Sequence, residues 1–87
     1  MRRTDCLNKD ISGYLNILGI KHEILEYGIT VDRTSMVNLV QGLIEGEAYE
    51  WVLMLVKDLL RDEKVWVCWG GRTDEWLGLE VYAKDPE

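Results

Sequence analysis

The 87 residues include no phenylalanine, one proline, one histidine and two cysteines. The shortages of cysteine and histidine each remove a class of protein. Cys6 and Cys68 lie far apart and form no C-x-x-C pair, so neither a disulfide-stapled scaffold nor a zinc pattern is expected. His22 stands alone, and no third group is placed to orient a Cys/His pair for nucleophilic catalysis. Three ordinary positions account for Cys6, His22 and Cys68. Basic residues are also scarce, ten Lys and Arg against sixteen Asp and Glu for a net charge of −6. The cationic excess that draws a domain to nucleic-acid phosphates is therefore missing overall. The longest apolar run covers residues 51–56, too short to cross a bilayer. Met1-Arg2-Arg3 leads into Thr4-Asp5 and not into an apolar stretch, so no secretory leader is expected. A cytoplasmic protein with reduced thiols follows as the expectation.

Hydrophobic residues make up 47% of the chain, with four Trp and four Tyr. That is enough to build a core and argues against disorder. Trp and Tyr combine a large apolar body with a polar tip and are enriched at interfaces. The length fits one domain, 1–87, with residues 1–7 expected as a flexible arm. Arg2, Arg3 and Lys9 would give that arm a small positive charge, most simply read as a solvated terminus.

Periodicity sets out the elements. Ile11, Tyr14, Leu15 and Leu18 recur at helical spacing, with Asp10 placed as a cap and Gly19 as a stop, predicting a helix over 8–18. Leu25, Tyr27, Ile29 and Val31 alternate with their neighbours, predicting one strand over 22–31. Asp32, Thr34 and Ser35 are candidate caps for a second helix over 34–44. A stripe of Met36, Val37, Val40, Leu43 and Ile44 is followed by another of Trp51, Val52, Leu55, Leu59 and Leu60. Glu45-Gly46-Glu47 marks the break, giving a third helix over 47–62. Strands over 64–69 and 76–83, joined by a wing-like turn at 70–75, close the chain as a hairpin. Gly70-Gly71 lacks the surroundings of a phosphate loop and reads as part of that turn. No cofactor is implied.

The order helix, strand, helix, turn, helix, strand, strand resembles the winged-helix form of the helix-turn-helix. The resemblance covers roughly residues 8–83. It rests on that order, on Asp32-Arg33-Thr34-Ser35, on the Glu45-Gly46-Glu47 turn, and on Leu59-Leu60-Arg61-Asp62-Glu63-Lys64-Val65 leading into the hairpin. It implies an α+β fold with a small antiparallel sheet, a recognition helix at 47–62 and a wing at 70–75. Within that superfamily, Asp62-Glu63, Trp69 and Gly78-Leu79 are similar to the end of the small winged-helix D protein associated with dissimilatory sulfite reductase. That stretch is under a quarter of the chain and implies regulation of an enzyme by protein contact.

Two functions compete, and neither is catalysis. As a DNA-binding transcriptional regulator, the chain would offer Arg33, Lys57, Arg61 and Arg72 to phosphates. Against them stand Glu47, Glu50, Asp58, Asp62, Asp74 and Glu75 on the same elements, each repelling a phosphate at contact. As a regulatory module acting through protein–protein interaction, it would use Trp66, Trp76 and Tyr82 on the sheet face opposite Val65, Val67 and Leu79. The charge balance favours the second. The partner is then another protein or a second copy, a homodimer through the hairpin or the first helix. Glu45, Glu47 and Glu50 bracket the helix–helix turn and read most simply as a solvated face.

Overall fold

The computed structural model describes residues 3–26 and 28–84, with Arg3, Thr4 and Asp5 described by backbone alone. Arg2 and Tyr27 lie outside the described residues. The chain folds as α1 (Arg3–Leu18), β1 (His22–Leu25), β2 (Gly28–Asp32), α2 (Arg33–Leu39), α3 (Glu45–Leu59), β3 (Val65–Arg72) and β4 (Trp76–Ala83). The four strands form one antiparallel sheet in the order β1-β2-β4-β3. This is the expected α+β class with a small antiparallel sheet. The element order is compatible with the winged-helix order, with one additional strand.

Helix α1 begins five residues earlier than its pattern predicts, so Asp10 lies inside it and caps nothing. The cause is Leu7, which is buried and extends the Ile11, Leu15 row back by one turn. Residues 3–7 are therefore helix and not an arm. The predicted stop holds. Gly19 adopts φ 77°, its N–H donates to the Asn16 carbonyl, and Ile20 N–H donates to the Leu15 carbonyl. These two bonds are a Schellman end, which needs a residue free to be left-handed.

The single strand expected over 22–31 is a hairpin. His22 pairs with Val31 and Leu25 with Gly28, the chain reversing between the two strands. The expected break at 45–47 is also displaced. The two helices are separate, but they part over residues 40–44, where Gly42 takes φ 89°. Glu45-Gly46-Glu47 instead opens α3, putting Glu45 and Glu47 at the positive end of its dipole. Asp32 caps α2, its carboxylate accepting from the Ser35 N–H at 3.0 Å and the Ser35 hydroxyl at 2.7 Å.

The buried positions draw on every helix and on one face of the sheet. Ile11 and Leu15 of α1, Met36 of α2, and Val52 and Val56 of α3 meet Ile29, Val31, Val65, Val67, Leu77 and Leu79 in a single cluster. The apolar stripe of α3 is rotated from the expected one. Ala48, Tyr49, Val52, Leu53 and Val56 are buried, while Trp51 and Leu55 are half-buried and Leu59 is exposed. All three helices thus pack on the same side of the sheet. The glycine pair expected in the hairpin turn lies inside β3 instead. Trp69 pairs with Leu79 and Arg72 with Leu77, so three steps on β3 match two on β4, a bulge at Gly70-Gly71. The turn itself spans 73–75. It is closed by Thr73 N–H donating to the Trp76 carbonyl at 2.8 Å and by Trp76 N–H donating to the Thr73 hydroxyl at 3.0 Å.

Candidate functional site

Because the helices occupy one side of the sheet, the other side faces outward. Strand alternation sends Val65 and Val67 inward and Trp66 and Cys68 outward. Register sets Trp66 directly opposite Tyr82, and Cys68 opposite Glu80. Trp66 is 62% exposed and Tyr82 52%. Cross-strand aromatic neighbours of this kind are close enough to form one surface. Lys84 completes it with its Nζ 4.5 Å from the centre of the Trp66 ring, within cation–π range. On the other side, the Glu80 carboxylate lies over Gly70, where a Cβ would come within 2.5 Å of it. The hydrogen bond between Tyr82 and Glu80, followed by burial, raises the Tyr82 phenol above its usual value. The pair is thus an apolar patch with a cation at one end and a carboxylate beside it.

Trp76 stands apart from this pair. It lies six residues from Tyr82 along β4, about 20 Å in an extended strand. It is half-buried, paired with Asp32, and has the Lys21 Nζ 5.8 Å from its ring centre. Of the three aromatic residues singled out in the sequence, two form one surface and the third belongs to the opposite end of the strand.

The hairpin turn is held against the helices by Arg33, the first residue of α2. Its Nε donates to the Tyr49 hydroxyl at 2.7 Å and to Glu45 Oε1 at 3.1 Å, and its Nη2 meets the same carboxylate. Its Nη1 donates to the carbonyls of Thr73 at 2.7 Å and Asp74 at 3.1 Å. Tyr49 also donates to Glu45. The backbone adds a bond from the Arg33 N–H to the Glu75 carbonyl at 3.0 Å. One guanidinium therefore ties together α2, α3 and the β3–β4 turn. The Tyr49 hydroxyl and then the Arg33 guanidinium hold the Glu45 carboxyl below its ordinary value. Burial, with the Glu45 charge adding to it, lifts the Tyr49 phenol.

That arrangement bears on the four cations proposed for phosphate contact. The Arg33 side chain is only 15% exposed and its charge is met by Glu45. Arg61 is exposed and sits 3.4 Å from Asp58. Lys57 lines a groove on α3, and Arg72 is exposed at the end of β3. The carboxylate-bearing residues Glu47, Glu50, Asp58, Asp62, Asp74 and Glu75 are all exposed.

His22 serves the junction of α1 and β1. Its Nδ1 is 2.8 Å from the Ile20 carbonyl and so carries the proton, while Nε2 lies 2.6 Å from the Ser12 hydroxyl and accepts from it in the neutral ring. No disulfide joins Cys6 and Cys68. Among the described residues no group of three His, Cys, Asp or Glu is placed to hold a metal ion, and no helix is long and apolar enough to cross a membrane. Sequence reasoning missed the Arg33 lock, the Ser12–His22 bond and Lys84 over Trp66. Each joins residues from separate elements and leaves no local signature. No family model, curated protein or solved structure matches this chain.

Proposed function

We propose that this chain is a non-enzymatic regulatory protein that acts through protein–protein contact on a winged-helix-like scaffold. The observation that carries the reading is the exposed Trp66–Tyr82 pair on the side of the sheet that none of the described helices covers. Trp and Tyr are the residues from which interface hot spots are most often built, and their exposure in an aqueous monomer is unfavourable unless a partner covers them. The rigid hairpin beneath them lowers the entropy cost of docking. The winged-helix assignment is supported by the order of α1, β2, α2, α3, β3 and β4 and by the antiparallel β2–β4–β3 pairing. Duplex DNA is disfavoured as the partner because Arg33 is committed to Glu45, Tyr49 and the turn carbonyls, leaving Lys57, Arg61 and Arg72 among a larger number of exposed carboxylates.

The test has two arms. In fluorescence anisotropy with random duplex DNA at about 50 mM salt, no binding near 10⁻⁶ M is expected, roughly the tight end of non-specific association. Proteins retained by the immobilised wild-type chain should be lost with Trp66→Ala and with Tyr82→Ala. For the purified partner, affinity should fall by about 30-fold or more if these are hot spots. Salt-sensitive micromolar DNA binding, or retention unchanged by both substitutions, overturns the reading.

A further inference from the structure

The helical layer carries a second open surface, independent of the sheet. Along α3, Glu47, Glu50, Met54 and Lys57 follow at steps of three and four and so form one stripe. The stripe borders an open groove of about 670 Å³ whose apolar lining includes Leu43, Ile44, Trp51 and Leu53. Ile44 is 69% exposed and Met54 57%, and both border this one groove, as a contiguous apolar patch does.

The charges on this groove are segregated. Two carboxylates stand at the N-terminal end and one ammonium at the C-terminal end, about 15 Å away along the helix. A partner carrying one sign of charge matches only one of those ends. A second copy matches both. If two α3 helices cross antiparallel about a two-fold axis that passes their exposed faces at the level of Val52, itself buried on the far side, residues equidistant from that level oppose each other. Glu47 of each protomer then faces the partner's Lys57, and Glu50 faces the partner's Met54. Ile44 and Met54 are carried into the other groove, and the two ion pairs are identical by symmetry.

We propose that the α3 groove is the interface of a two-fold homodimer, fixed in antiparallel register by reciprocal Glu47–Lys57 pairs. The interface lies on α3 and not on the hairpin or α1, where composition alone would place self-association. It uses neither Trp66 nor Tyr82. Lys57 borders the pocket that Trp66 and Lys84 also line, whereas Glu47 and Ile44 lie away from it, so Glu47→Lys and Ile44→Asp separate the dimer from the partner surface.

The experiment is sedimentation of the full chain from about 1 µM to about 1 mM, a span that covers weak to firm association. The wild type should dimerise, and more weakly as salt is added. Lys57→Glu and Glu47→Lys should each weaken dimerisation about tenfold or more, because each puts like charges in contact twice. The double variant E47K/K57E restores opposite signs at both contacts and should recover dimerisation to within a few-fold of wild type. All these positions are exposed, so circular dichroism should be unchanged. Ile44→Asp tests the apolar part of the contact in place of the ion pairs and should abolish the dimer without unfolding the chain. A wild type that stays monomeric throughout overturns the proposal. So does a dimer indifferent to both single reversals, or a double variant no better than the singles. A dimer lost with Trp66→Ala but kept with Lys57→Glu places self-association on the sheet instead.

Discussion

Trp66 and Val67 are neighbours on β3, yet one is 62% exposed and the other 7%. The same contrast runs across the whole sheet. On its inner face Ile29, Val31, Val65, Val67, Leu77 and Leu79 are all buried in one cluster with the helices. On its outer face Trp66 and Tyr82 keep more than half their area in solvent. Both faces are rich in apolar atoms, but among the described residues only the inner one is covered by helices. Alternation along a strand specifies which residues share a face. It does not specify how many faces the helices will cover, and with α1 joining α2 and α3 on the same side, the answer is one. Stability is concentrated on one surface of the sheet, and the proposed partner contact lies on the other.

Substitutions on the two faces should separate these roles. Leu79→Ala on the inner face removes a fully buried side chain packed against Ile29 and the helices, and should cost about 2–5 kcal/mol in urea denaturation. Val67→Thr keeps the shape but buries a hydroxyl, and should cost about 1–3 kcal/mol by the same measurement. Trp66→Thr, one residue away, gives up only a cross-strand contact and the Lys84 stacking, and should cost less than about 1 kcal/mol. Equal losses for Val67→Thr and Trp66→Thr would erase the distinction between the faces.

The smallest effect is expected from pH. Glu45 is held below its ordinary value by Tyr49 and Arg33, so its contribution to stability is complete above the unfolded carboxyl value. That contribution is lost as pH falls through the lower folded value. Stability of the wild type should therefore decline on the acid side over that window, and Glu45→Gln should flatten this part of the profile. Trp66→Thr should leave the profile's shape unchanged, since the lock and the aromatic pair lie at opposite ends of the hairpin.

How much of this was legible in the sequence depends on the distance over which each feature is determined. Gly19 as a helix stop and Asp32 as a cap are decided within a few residues, and both hold. So does the alternation of Val65, Trp66 and Val67. The β1–β2 hairpin was hidden because its alternation continues through the reversal, and no Asn-Gly or Asp-Gly pair announces the turn. The helix break was misplaced because Gly42 and Gly46 are both plausible stops, and only backbone geometry shows that Gly42 is the left-handed one. The start of α1 was missed because Leu7 sits among polar residues and becomes informative only once its place in the core is known. Arg33 was read as a spare cation, since its acceptors at 45, 49, 73 and 74 come together only in the folded chain. For the site, the outward direction of Trp66 and Tyr82 was readable, whereas their exposure depended on where α1 docked.

One detail of β3 bears on what an incoming strand would meet at the edge of the sheet. The strand lies at the edge of the sheet, and residues 65–69 carry no charge and no proline. Such an edge is a template on which further chains can stack without limit, the route into fibrils. The Gly70-Gly71 bulge interrupts that template. It sharpens the local twist and breaks the repeat of backbone donors and acceptors, so an incoming strand finds only a short stretch in register. A bulge made by two residues without side chains is a feature that limits how far a sheet can grow from that side.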